Sequence, residues 1–125
     1  MYRILLIDDE DRKRERLEPS IEDIKERYGD DSVSLTHAMD SDSGLRAVKA
    51  GKFDLIMLDY LLGKLDGTSL ILQIRASDSD ARIWMYTSSM NRKDAIESGA
   101  DDLMDTLDTD CYGKFMDFVE SQVKG

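Results

Sequence analysis

One cysteine, one histidine and one proline are all that 125 residues contain of these types. Cys111 alone cannot close an internal disulfide, and with His37 as the sole imidazole no Cys/His zinc site can be assembled. Positive charge is also scarce: 17 Lys and Arg against 27 Asp and Glu leave a formal charge of −10. A surface so charged repels nucleic acid and anionic lipid, which argues against direct DNA or membrane binding. No apolar run approaches the roughly 20 residues of a membrane span, and the first ends in Asp8-Asp9-Glu10 rather than in a small-residue cleavage site. No repeat, low-complexity tract or Pro/Gly-rich linker occurs, Pro19 being the one proline. These absences predict a non-secreted protein of a reducing cytoplasm, with neither nucleic acid nor membrane as a direct partner.

What is present, 41% hydrophobic and 35% charged residues, is a globular balance. A chain of this length makes one domain, here residues 1–125, and hides about two thirds of its unfolded surface. Tyr2-Arg3-Ile4-Leu5-Leu6-Ile7, Leu55-Ile56-Met57-Leu58 and Ile83-Trp84-Met85-Tyr86 are short apolar runs with polar borders, the signature of strands buried on both faces of a parallel sheet. Val33, Leu35 and His37 alternate with more polar neighbours, and Leu103-Met104 is a brief apolar step among aspartates; both read as edge strands.

Between the strands, Leu17, Ile21, Ile24 and Tyr28 recur at helical spacing, as do Tyr112, Phe115, Val119 and Val123. Shorter helices fit 43–50, 68–76 and 92–98, with Gly51 and Gly99 as stops, Asn91 as a cap, and Thr109 or Asp110 capping the last helix. Pro19 is expected to kink or split the first helix, because it removes a backbone donor. Strict strand and helix alternation gives right-handed crossovers onto one parallel sheet: a doubly wound α/β fold, (βα)5, with strand order 2-1-3-4-5. Ligands of such sheets bind at the carboxyl ends of the strands beside the point where the order reverses, which places Asp8, Asp9 and Asp59 at the crevice.

Carboxylates converging on one crevice repel each other unless a cation or a proton offsets them, and magnesium prefers such oxygen ligands. Asp8-Asp9 alone would suit a helix cap equally well; Asp59, which ends a buried strand at the same edge, makes metal binding the better reading. The loop Tyr60-Leu61-Leu62-Gly63-Lys64-Leu65-Asp66-Gly67 follows, its Asp-Gly supplying a tight turn, and Thr87-Ser88-Ser89 places hydroxyls one strand away. His37, on an edge strand far from the crevice, cannot complete a Ser/His/Asp triad. Trp84 reads as core, close enough to the pocket for its fluorescence to report metal, and Cys111 as inert. The run Asp101, Asp102, Asp105, Asp108 and Asp110 reads as a solvated face.

Over essentially its whole length the chain resembles the receiver domain of bacterial two-component response regulators. The matching pieces are Ile-Leu-Leu-Ile-Asp-Asp-Glu at 4–10, Phe53 through Asp59, Gly67 eight residues beyond Asp59, Thr87, and Gly99-Ala100-Asp101-Asp102. The resemblance implies a flavodoxin-like fold and a phosphoprotein that carries an aspartyl phosphate on Asp59. It implies Mg2+ held by Asp9, Asp59 and the Leu61 carbonyl, with Asp8 acting through water, and Thr87 as the hydroxyl that follows the phosphoryl group. No Gly-rich or P-loop motif offers a site for ATP, so the donor is a histidine kinase or a phosphotransfer protein. The one chemistry expected is phosphotransfer onto the protein's own Asp59.

Two departures from the family stand out. The Lys-Pro pair usual after the fifth strand is replaced by Thr106-Leu107, and the aromatic switch position falls at Leu103. The stretch from Thr87 to Gly99 is also about three residues shorter than is common in the family. Lys64, Arg92 and Lys93 are candidates to replace the missing lysine. The reading is a stand-alone receiver without an output domain, working in a phosphorelay and signalling through contacts with an unknown downstream protein. The alternative is a receiver-like scaffold that binds partners without phosphorylation. An aspartyl-nucleophile phosphatase fits poorly, since it would need an Asp-x-Asp after the first strand and a cap domain.

Overall fold

The computed structural model describes residues 1–62, 65–77 and 80–125. Strand β1 (Tyr2–Ile7) is followed by α1 (Asp11–Tyr28), β2 (Val33–Ala38), α2 (Ser41–Ala50) and β3 (Leu55–Leu58). Two short strands, β4 (Leu61–Leu62) and β5 (Leu65–Asp66), precede α3 (Gly67–Ala76); β6 (Arg82–Thr87), α4 (Arg92–Glu97), β7 (Asp102–Asp105) and α5 (Cys111–Lys124) complete the chain. The main sheet is ordered β2-β1-β3-β6-β7 with every neighbouring pair parallel, which is the expected 2-1-3-4-5 order when the two short strands are left out of the numbering.

Period-two alternation sends the strand side chains into two cores. Leu5, Ile7, Ile56, Leu58, Ile83 and Met85 pack under α2, α3 and α4. Ile4, Leu6, Leu55, Met57, Trp84 and Tyr86 pack against Leu17, Ile21 and Ile24 of α1 and Phe115 and Val119 of α5. The three central strands carry continuous apolar runs because both of their faces are covered: Ile4–Ile7, Leu55–Leu58 and Ile83–Tyr86 are wholly buried.

Four sequence expectations need correction. Leu61 and Leu62 pair antiparallel with Asp66 and Leu65 as a separate two-stranded ladder where the sequence offers only a loop, two residues per strand being too few to show a period; Gly63 and Lys64 lie outside the described residues. Pro19 does not split α1, which runs unbroken through it. Pro19 faces solvent, where water can take up the carbonyl it leaves unbonded, and buried Leu17, Ile21 and Ile24 anchor the helix on both sides of it.

Asp110 occupies the N-cap position of α5 but caps nothing with its side chain; Asp108 Oδ1 accepts from the Asp110 amide at 3.0 Å instead. The acidic run is also more than a solvated face. Asp101 meets Arg75 at 3.0 Å and accepts from the Ile83 amide at 2.8 Å, while Asp102 pairs with Arg92 and Asp108 with Lys114, each at 2.8 Å. Asn91 does cap α4, its Oδ1 accepting from the Asp94 amide at 2.8 Å.

Phe115, packed edge-on against Trp84, is the largest fully buried side chain of α5. Phe115→Ala should lower the unfolding free energy by about 3–5 kcal/mol, read from urea denaturation, through lost transfer energy and the cavity left behind.

Candidate functional site

The parallel register sets the site. Ile7 lies opposite Leu58, so the next residue on each strand, Asp8 and Asp59, leaves the sheet side by side at its carboxyl edge. The Asp8 amide donates to Ala38 O at 3.0 Å, continuing the β2 ladder one step past its end. Asp8 is 1% exposed and Asp59 keeps part of its carboxylate in solvent, whereas Asp9 is exposed. Burial pushes the Asp8 carboxyl above its ordinary range; the Glu10 amide, which donates to Asp8 Oδ1 at 2.9 Å, and the Lys13 ammonium pull the other way. Thr87, 1% exposed, ends β6 one strand over, its Oγ1 accepting from the Ser89 amide at 3.2 Å.

Gly67, the first residue of α3, explains how α3 comes so close to Asp59. A Cβ on Gly67 would sit 2.7 Å from the Asp59 carbonyl oxygen, 3.1 Å from Tyr60 Cα and 2.9 Å from Met85 Cε. The obstruction is mostly backbone, so a side chain there moves the residue that carries the carboxylate.

The structure also shows residues that the sequence reading missed. Lys13, in the first turn of α1, places its ammonium 3.0 Å from Asp59 Oδ2 and 3.2 Å from Asp8 Oδ2, and donates to the Tyr86 carbonyl at 2.6 Å. The Cα–Cβ bonds of a helix tilt toward its N-terminus, so a long side chain in the first turn reaches back over the strand ends. The sequence marks only the turn: cations at the positive end of a helix oppose the macrodipole, but Arg12 and Arg14 flank Lys13 there and share that signal.

His37 belongs here as well, contrary to its expected distance from the crevice. It pairs in register with Leu6, and its Nε2 lies 2.9 Å from the Asp8 carbonyl oxygen. The adjacency of β2 to β1 brings it there, and an acceptor carbonyl makes Nε2 the protonated nitrogen. Trp84, by contrast, sits three residues before Thr87 and packs on Phe115 and Phe118, within the α5 core rather than at the pocket. Cys111 is buried, which pushes its thiol up, in keeping with an inert residue.

Thr106 follows β7 beside Thr87, its amide 3.4 Å from the Thr87 carbonyl oxygen, and Leu103 is half-buried against the α2/α3/α4 core. Of the candidate replacement cations, Arg92 is paired with Asp102, Lys93 is exposed on α4, and Lys64 lies outside the described residues.

The donors near the crevice are all oxygens, and buried Asp8 Oδ2 has the Lys13 ammonium as its one close polar neighbour among the described residues, so in type they fit a cation such as magnesium. Among the described residues, however, no three His, Cys, Asp or Glu side chains stand close enough together to hold an ion as they lie. Lys13 supplies positive charge to Asp8 and Asp59 in this arrangement.

Comparison with known proteins agrees with this architecture. The family model for the response regulator receiver domain matches residues 4–108, and the chain belongs to that family. The transcriptional regulatory protein PcoR of Escherichia coli is 32% identical over 107 residues, covering 83% of this chain and 44% of that protein. The response regulator MprA of Mycobacterium avium is 30% identical over 105 residues, covering 82% and 43%. The chain thus spans less than half the length of these curated relatives.

Among solved structures, the signal receiver domain of a DNA binding response regulator from Colwellia psychrerythraea 34H matches over 100% of both chains with a TM-score of 0.79 at 15% identity. Chemotaxis protein CheY4 of Vibrio cholerae covers 95% of this chain and 98% of its own, with a TM-score of 0.74 at 18% identity. At such identities these structures speak for the fold alone. Among the described residues no helix is long and apolar enough to cross a membrane.

Gly67→Ala should lower stability by about 1–3 kcal/mol, because the Asp59 backbone must give way. A thermal melt combined with amide chemical shifts would show the loss together with displacement centred on residues 59 and 60.

Proposed function

We propose that the chain receives a phosphoryl group on Asp59 and signals through protein contacts as a cytoplasmic response regulator. The observation that carries this reading is the side-by-side exit of Asp8 and Asp59 from adjacent parallel strands, with buried Thr87 ending the next strand. In the proposed step an Asp59 carboxylate oxygen attacks the phosphorus of a phosphohistidine on a histidine kinase or phosphotransfer protein. The new bond is P–O, the broken one P–N, and the departing imidazole keeps the electron pair and takes up a proton.

Asp9, Asp59 and the Leu61 carbonyl would hold Mg2+, with Asp8 acting through water. When bound, the ion would offset charge on the phosphoryl oxygens. The Thr87 hydroxyl would donate to one of those oxygens after transfer. The chain would catalyse nothing beyond its own phosphorylation, and residues 1–125 would act as a receiver on a downstream protein defined by its contact surface. Thr106, uncharged where the family has lysine, supports one rival reading: a receiver-like scaffold that binds partners without phosphorylation.

Intact mass after incubation with magnesium and acetyl phosphate separates the two readings. A gain of one phosphoryl group, lost in Asp59→Asn and in excess EDTA, is expected; no gain in the wild type would leave the scaffold.

Leu61 and Ser89 flank the site and carry no carboxylate or carboxamide to position water. The radiolabelled aspartyl phosphate should therefore decay slowly, and a lifetime of seconds would contradict that.

A further inference from the structure

We propose that Lys13 is the cation that faces the phosphoryl group in this site, delivered by the first turn of α1 in place of a residue after β7. The inference rests on the phosphoacceptor reading of Asp59 and assigns it a partner. A carboxylate that takes up a phosphoryl group exchanges one diffuse negative charge for up to two on the incoming oxygens, and a fixed donor at the nucleophile stabilises that change as it develops.

Thr106 carries no charge, Arg92 is paired with Asp102, Arg75 with Asp101 and Lys114 with Asp108. Among the described residues, Lys13 is the one whose cation touches the Asp59 carboxylate.

The ammonium has three protons, and three oxygens lie around it: Tyr86 O at 2.6 Å, Asp59 Oδ2 at 3.0 Å and Asp8 Oδ2 at 3.2 Å. Two further features hold it there independently of Asp59. The Tyr86 carbonyl belongs to β6, and the Tyr86 ring lies 5.1 Å beneath the ammonium, itself fixed by a 2.6 Å hydroxyl contact with Tyr112 of α5. When Asp59 Oδ2 becomes the bridging oxygen of an acyl phosphate it loses its charge. The proton that Lys13 directs there then finds a phosphoryl oxygen, with the ammonium still tethered to Tyr86.

The test follows phosphoryl gain by intact mass in the full chain with magnesium and acetyl phosphate. Wild type is compared with Lys13→Met and with Lys13→Met/Thr106→Lys, which returns a lysine to the loop after β7. Lys13→Met should be roughly ten- to a hundredfold slower, the worth of one hydrogen bond to a charged group, and the double variant should recover most of the rate. A Lys13→Met rate equal to wild type would overturn the proposal. So would a loss that Thr106→Lys leaves unrepaired, which would mark the lysine as a structural group.

If the wild type takes up no phosphate, the phosphoacceptor reading fails, and amine acylation read by peptide mass judges the lysine by itself. Lys13 should then be protected relative to Lys114 and Lys124, whose side chains are 72% and 60% exposed, and should be acylated faster in Asp59→Ala than in wild type, with Tyr86 and Asp8 retaining part of the protection. Acylation of wild-type Lys13 as fast as Lys124 would refute the assignment.

Discussion

Two carboxylates that leave adjacent parallel strands side by side put like charges, one of them buried, at one sheet edge, and a neighbouring positive charge offsets the cost. Lys13 supplies that charge in the present arrangement. Its ammonium contacts Asp8 and Asp59 together and fastens to the Tyr86 carbonyl, so one side chain links β1, β3 and β6 across the crevice. The surrounding structure is arranged to make this possible. The register of β1 on β3 aligns the two aspartates, the short turn Asp8-Asp9-Glu10 starts α1 close above them, and Gly67 lets α3 approach the Asp59 backbone from the other side.

Isolated ion pairs at a protein surface contribute little to stability, because water screens them and ordering two side chains costs entropy. The Lys13 contacts differ in being largely enclosed: Asp8 is 1% exposed and the lysine side chain 15%. Removing one partner there leaves a charge without compensation, which costs far more than the pair itself contributes. Arg14, one residue further on, shows the ordinary case. It pairs with Asp11 and Glu18 on its own helix and, among the described residues, with no charged group beyond it.

Sheet topology, and with it the placement of Asp8, Asp59 and Thr87 at the carboxyl ends of neighbouring strands, was legible in the sequence because each depends on a local pattern: an apolar strand, its end, and the polar residue there. Lys13 was not, because its role depends on a side-chain path from one element to the ends of three others, and composition of the first turn alone does not trace such a path. His37 escaped for a related reason. Its strand was read as an edge, but an edge strand that neighbours the switch point still lies one register step from the site. Pro19 and the β4/β5 ladder show the other limit, where packing overrides a propensity or an element is too small to carry a period.

The outer strand β7 carries a further consequence. It has four residues with an aspartate at each end, and it is bounded by Asp101 on one side and Thr106 on the other. Its free edge exposes unpaired backbone groups that another chain could in principle extend. A second copy added there in either direction would bring carboxylates against carboxylates, and the chain as a whole, at −10, repels its own kind. The acidic flank of β7 therefore guards against aggregation by strand addition, at a place where an apolar edge of the same length would invite it.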